Sequence, residues 1–393
     1  MIGKIFIWPN EKMENTLKKE AVKLHSEALV ADLHCDTVIQ MKRGYDFTRR
    51  HEDYHVDIPR LQEGGVDLQV FATGINPSQP PEKPREKITA DLDFLKKKIA
   101  ENPDTVRVCT SSAEAGNAGA DGRIGILLAI EGGDALENNP ANIEFFYERG
   151  VRLITVVHER STDWGISWSD KNPAFDGIND LGREMIARMN ELGIIVDISH
   201  CSRATFDGVL GAARAPVIAS HSCVDALCHN GRNLTDDQIK EIANCGGLVG
   251  ITFVSFFLSE ELGRASKEFW EQYPEEIKIM PQLFLSEMDE EEKKRRYDRY
   301  QPLEDKFEKY IASIRPTVST VVDHIDYVVK LVGVDFVGLG SDYDGMTFPP
   351  LGLEDCSGLP RITEELFRRG YAETEIRKIL GGNFMRIFKQ VCG

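Results

Sequence analysis

The sequence predicts an α/β chain folded as a (β/α)8 TIM-type barrel. Three observations carry that expectation: eight short apolar runs, amphipathic stretches between most of them, and histidines and carboxylates gathered at the ends of the runs. The runs are 28–36 (ALVADLHCD), 66–74 (VDLQVFATG), 123–132 (RIGILLAIEG), 151–158 (VRLITVVH), 194–200 (IIVDISH), 216–222 (PVIASHS), 246–254 (GGLVGITFV) and 336–342 (FVGLGSD). Each is rich in Val, Ile and Leu and is followed by polar or glycine-containing sequence, the pattern of a parallel sheet alternating with helices.

The stretches ITADLDFLKKKIAEN, NIEFFYERG, DLGREMIARMNELG and SRATFDGVLGAA have apolar spacing close to 3.6 and are read as helices. Leu192-Gly193 closes one helix, and Leu234-Thr235-Asp236-Asp237 opens another with an N-cap. Eight strands with interleaved helices suit a closed barrel, which reaches 393 residues as one domain once insertions are counted. Residues 256–315 break the rhythm with charged sequence such as SEMDEEEKKRRYDRYQPLEDKFEKY. They are expected to be a helical insertion after the seventh strand. Leaving from the C-terminal rim, it covers the active site, contacts a second subunit in a homodimer, or is a solvated excursion.

With 41% hydrophobic and 28% charged residues, the composition is that of a globular chain. A net charge of -17 opposes capture of nucleic acid or of an anionic membrane. The eight cysteines form no CxxC pair and no dense framework, which fits a reduced compartment. The opening MIGKIFIWPNEKMENTLKKE lacks a signal-type cleavage site, and no stretch approaches the roughly 20 apolar residues of a membrane span. The expected location is cytoplasmic.

Four of the nine histidines, His34, His158, His200 and His221, fall at or near the C-terminal ends of expected strands. His34 and Asp36 are two apart, so a strand's period of two places both on one face. Glu131 ends the third run, where two glycines permit a tight turn. Imidazole and carboxylate are ligands that zinc and similar divalent metals accept. A single strand-end histidine is more often a hydrogen-bonded interior residue, but five such groups on one rim suffice for two metals. The expected arrangement gives His34 and Asp36 to one ion and His200 and His221 to the other, with Glu131 shared and a metal-activated water as nucleophile.

Asp342, in GLGSDYDG, is the expected general base and then acid, with Asp344 the alternative two residues on. His158 is expected to polarise the scissile carbonyl, and Arg232 offers a fork for a substrate carboxylate. His25, His51, His55, His229 and His324 are read as surface or structural residues, and Cys201 and Cys223 as packing. Trp164 and Trp168 serve either as a substrate wall or as loop packing.

These segments, DLHCD, AIEGGDAL, RLITVVH, VDISHCS, APVIASHS with GRNLTDD, VGLGSDYDG, GLEDCSGLPRITEELFRRG and GNFMRIF, resemble the membrane dipeptidase (renal dipeptidase) family of metal-dependent amidohydrolases, in order and spacing over nearly the whole chain. The resemblance implies two zinc ions on His34, Asp36, Glu131, His200 and His221. It also implies substrate contacts from His158 and Arg232, proton handling by Asp342, and hydrolysis of dipeptides, often with tolerance of a C-terminal D-residue. Manganese, iron or cobalt also suits such ligands. Cys35 in the first motif and the long charged insertion depart from the family pattern. Lacking a secretory signal and a GPI-type tail, the chain reads as a soluble microbial relative. Two competing functions remain: an N-acyl-amino-acid deacylase or lactonase on the same barrel, and a metal-binding protein without catalysis.

Overall fold

A computed structural model describes residues 11–76, 80–279 and 290–393. Residues 1–10, which include the opening apolar patch, and 280–289 of the insertion lie outside the described residues. Among the described residues nine parallel strands are formed: β1 (Ala31–Cys35), β2 (Leu68–Gly74), β3 (Val106–Val108), β4 (Ile124–Glu131), β5 (Val151–Thr155), β6 (Ile195–Asp197), β7 (Val217–Ser222), β8 (Leu248–Ile251) and β9 (Val337–Leu339). Eight of them close a ring in the order β1-β2-β4-β5-β6-β7-β8-β9, with β9 returning to β1. These eight fall within the eight apolar runs.

The ninth, β3, is a correction to the expected count. It pairs only with Ile124–Ile126 at the start of β4, below the point where β5 takes over at Leu128, and so stands outside the ring. Three residues are too short for a period to show in sequence.

Alternate residues of the ring face inward and meet. Ala31 and Leu33, Leu68, Val70 and Ala72, Leu127 and Ala129, Leu153, Ile195, Ile218 and Leu248 form one buried cluster. Phe384, Ile387 and Phe388 of the last helix, Asn383–Cys392, join it and cover one mouth of the barrel. The opposite parity (Ile126, Leu128, Ile130, Ile154, Val196, Val249) packs outward against the helices. Both strand faces are therefore apolar, as a parallel sheet covered by helices requires.

The helices form where their sequence signals lie. Asp180–Leu192 buries Met185, Ile186 and Met189, starts with Asn179 accepting from the Gly182 N–H, and stops at Gly193 in the left-handed region. Asp236–Asn244 opens with a Thr235–Gln238 capping box.

The insertion is helical and follows β8, the seventh strand of the ring. Ser255–Leu258, Glu260–Trp270, Pro274–Ile279 and Glu290–Ile311 are its helices. Leu262, Phe269, Trp270, Tyr300, Phe307 and Ile311 give it a small core of its own. Phe307 packs edge-on against Phe348 of the loop after β9, with centroids 5.2 Å apart, which ties the insertion to the C-terminal rim. Among the described residues, no helix is long and apolar enough to cross a membrane.

Candidate metal centre

Glu131, the last residue of β4, is the hub of the rim. Its Oε1 lies 3.1 Å from His200 Nε2, 3.3 Å from His221 Nε2 and 3.6 Å from His34 Nε2, and its Oε2 lies 3.6 Å from His158 Nε2. His34 Nε2 is in turn 3.9 Å from both Asp36 Oδ2 and Asp342 Oδ1. All seven side chains expected at the centre thus converge, and all but His158 and Asp342 are buried. The two glycines after Glu131 make the turn possible. Gly132 has φ +99°, and a Cβ on Gly133 would collide with the Trp164 ring.

The route into the site differs from a plain strand-end reading. With Ala31 and Leu33 inward, a regular β1 would turn His34 outward, and Ile218 would do the same to His221. In both strands the register slips beside the histidine, between Asp32 and Cys35 and between Ala219 and Ser222. Such irregularities re-aim a side chain. Asp36 has already left β1 and stands at the N-cap position of the helix Thr37–Lys42, its side chain making no capping hydrogen bond. His158, His200 and Asp342 lie three residues beyond β5, β6 and β9, and His200 and Asp342 adopt φ of +66° and +68°. Non-glycine residues take this conformation seldom, and mostly where the surroundings enforce it.

Hydrogen bonds decide the histidine tautomers. Ser220 Oγ donates to Asp197 Oδ2 at 2.6 Å, so it accepts from His221 Nδ1 at 2.6 Å. Glu159 Oε1 accepts from His200 Nδ1 at 3.0 Å. Both rings therefore present bare Nε2 lone pairs, 2.9 Å from one another and beside the Glu131 oxygen. Lone pairs so close repel unless a cation stands among them. His34 Nε2 and Asp36 Oδ1 are also buried without a hydrogen-bond partner.

The electrostatics agree. Burial works against charge on His34, but the carboxylates of Glu131, Asp36 and Asp342 outweigh it and carry its pKa to about 10. Burial, reinforced by Asp36 and Glu131 against the opposing His34, raises Asp342 to about 8. Burial also raises Glu131, and it pushes His200 and His221 well below the usual imidazole range. A buried set of N and O donors with surplus negative charge fits divalent metal ions. Three groups place donor atoms close enough to share an ion: His34, Glu131 and His221; Glu131, His158 and His200; and His34, Asp36 and Asp342.

A cavity of about 270 Å³ opens over these groups. Asp36, Glu131, His158, Glu159, His200 and Asp342 line it together with the apolar Val254, Phe256, Phe257 and Met346. Phe256 and Phe257 are the first residues of the insertion, so its root contributes to the cavity wall. Trp164 is fully buried and is no substrate wall. Trp168 instead donates from Nε1 to Glu159.

Arg232 sits behind His221. Its Nη1 donates to Ser222 Oγ at 2.7 Å and its Nη2 to the His221 carbonyl at 2.8 Å, while Nε is buried without a partner. It lines an adjoining cavity that shares His200. Asp344 turns away from the centre, accepting from Thr37 Oγ1 at 2.6 Å and the His55 N–H at 2.7 Å. Sequence reasoning missed Glu159, although an acid directly after His158 was its signal. His25 and His324 are buried structural residues, as read, whereas His55 braces the site through Asp344.

The chain as a whole is similar to known proteins. A metallopeptidase from Rhodobacter sphaeroides, solved with a phosphinate mimic of the dipeptide L-Ala-D-Ala, superposes with a TM-score of 0.73 at 25% identity, covering 93% of this chain and 99% of that one. Dipeptidase aclJ of Aspergillus oryzae is 30% identical over 88% of this chain and 72% of its own length. Dipeptidase 3 of Rattus norvegicus is 27% identical over 95% and 67%. The family model described as membrane dipeptidase (peptidase family M19) matches residues 18–392, and the chain belongs to that family of metallopeptidases.

Proposed function

We propose that this chain hydrolyses the peptide bond of dipeptides with two divalent metal ions, zinc being the expected metal. The observation that carries the reading is the single oxygen Glu131 Oε1 ringed by Nε2 of His34, His200 and His221 at 3.1–3.6 Å. His34 and Asp36 would hold one ion, His200 and His221 the other, and Glu131 both. Bound there, the ions supply Lewis-acid polarisation of the scissile carbonyl and a lowered pKa for the attacking water.

The chain's own groups do the rest. Asp342, 3.9 Å from His34 Nε2 and in the cavity wall, takes the proton of the attacking water and returns it to the leaving amine. His158, over Glu131 Oε2 and in the cavity wall, donates to the developing oxyanion. Arg232, in the wall of the adjoining cavity that shares His200, supplies positive charge for the substrate carboxylate. Val254, Phe256, Phe257 and Met346 exclude water and pack an apolar side chain. The cavity lies near the small end of ligand pockets, which suits two residues better than a longer peptide.

The test is amine release from L-L and L-D dipeptides beside matched N-acetyl amino acids, with metal content measured. Cleavage of dipeptides but not of acylated amino acids supports the reading. The reverse preference replaces it with a deacylase on the same centre.

A further inference from the structure

We infer that Glu159 is a positioning residue that sets the orientation and tautomer of His200 for the metal ion, an inference that rests on the dimetal reading above. His200 is not held by a strand. β6 ends at Asp197, and His200 stands three residues on at φ +66°. Its ring needs another support.

The loop after β5 provides one. It is zipped to the His200 segment by backbone bonds, Trp168 N to the His200 carbonyl at 2.9 Å and Ser202 N to the Ile166 carbonyl at 2.9 Å. Glu159 is fixed in that loop by Ser169 Oγ, which donates to its carbonyl at 2.5 Å. One carboxylate oxygen, Oε1, then accepts from both Trp168 Nε1 and His200 Nδ1, each at 3.0 Å. The indole thus holds the carboxylate while the carboxylate holds the imidazole. Because an ionised carboxylate only accepts, Nδ1 must carry the proton and Nε2 must face Glu131 as a bare donor.

His221 reaches the same tautomer through the neutral Ser220 hydroxyl, so the two rings are backed unequally. Losing the acceptor that fixes the tautomer and orientation of a metal-binding imidazole commonly weakens metal binding. The Glu159 side chain is 36% exposed and lies in the cavity wall, where a purely structural hydrogen bond adds little to stability.

The test titrates the metal-free full chain with zinc against a chromophoric chelator, for wild type, Glu159→Ala and Glu159→Gln, and records the melting temperature of each metal-free protein. The alanine variant is expected to bind one of two zinc ions about 10- to 100-fold more weakly, with its metal-free melting temperature unchanged, while glutamine stays within about threefold of wild type. Glutamine rescues because the two N–H donors select its amide oxygen. Wild-type affinity in the alanine variant, or equal losses in both variants, would overturn the inference. A wild-type chain that takes up no zinc would instead overturn the dimetal reading beneath it.

Discussion

Gly345 stands against Asp36 and Asp342 at once. A Cβ at position 345 would fall inside the van der Waals surface of Asp36 Oδ2 and lie 2.6 Å from Asp342 Oδ1. The glycine is what lets the loop after β9 close over the end of β1 and bring the two carboxylates to the same side of His34. Gly345→Ala is therefore expected to push Asp36 and Asp342 apart. A displacement of about 1 Å at a reacting centre costs on the order of 100-fold in rate, and a loss of that size in kcat/KM is expected with an unchanged circular dichroism spectrum. Activity within a factor of three of wild type would show that the close approach is unimportant.

The two aspartates of the last motif separate by role. Asp342 faces His34, whereas Asp344 accepts from Thr37 and from the His55 backbone. Asp342→Asn is expected to lower kcat by about 100- to 10,000-fold with zinc still bound and the fold intact. Asp344→Ala leaves buried donors without an acceptor and is expected to cost about 1–3 kcal/mol of stability while kcat falls far less. Steady-state kinetics beside thermal melts of both variants check the assignment, and a reversed pattern would move the proton shuttle to Asp344.

His324 gives a pH dependence away from the centre. Its Nδ1 accepts from the Val224 N–H at 3.1 Å, and burial holds its pKa down to about 4 against the usual 6.5. Between these values the unfolded chain binds a proton that the folded chain refuses. The corresponding stability is fully present above pH 6.5 and is lost as the pH falls toward 4, by about 3 kcal/mol in all. Urea unfolding at pH 7 and at pH 4.5 should show wild type losing more stability than His324→Gln over that interval. Equal losses would mean that the folded chain admits the proton.

The eight ring strands were legible because buried parallel strands read as continuous Val, Ile and Leu runs, and the insertion because its charge broke the rhythm. The convergence of His34, Asp36, Glu131, His158, His200, His221 and Asp342 was legible too, since each follows or ends such a run. The means of convergence were not. Register slips in β1 and β7 and left-handed turns at His200 and Asp342 depend on neighbouring strands and loops, which no local period records. Arg232 was visible as a charge, but its engagement with Ser222 and the His221 carbonyl was not. Glu159 and Trp168 sit nine residues apart and meet only once the loop after β5 folds back on His200.

The same donors make metal removal a stability experiment. Asp36, Glu131 and Asp342 repel one another in a buried space, and a ligand that binds only the folded state stabilises it, by about 4 kcal/mol at 1,000 times its dissociation constant. Chelation is expected to lower the melting temperature, and zinc to restore it.

The most direct measurement is metal content set against dipeptide hydrolysis on one sample of wild type and one of His34→Ala. The expected result is two zinc equivalents per wild-type chain, with activity lost on chelation and regained on zinc addition. His34→Ala is expected to lose metal and activity together. Dipeptide hydrolysis that persists in metal-free protein, or a wild-type chain that holds no divalent metal, would contradict the dimetal centre.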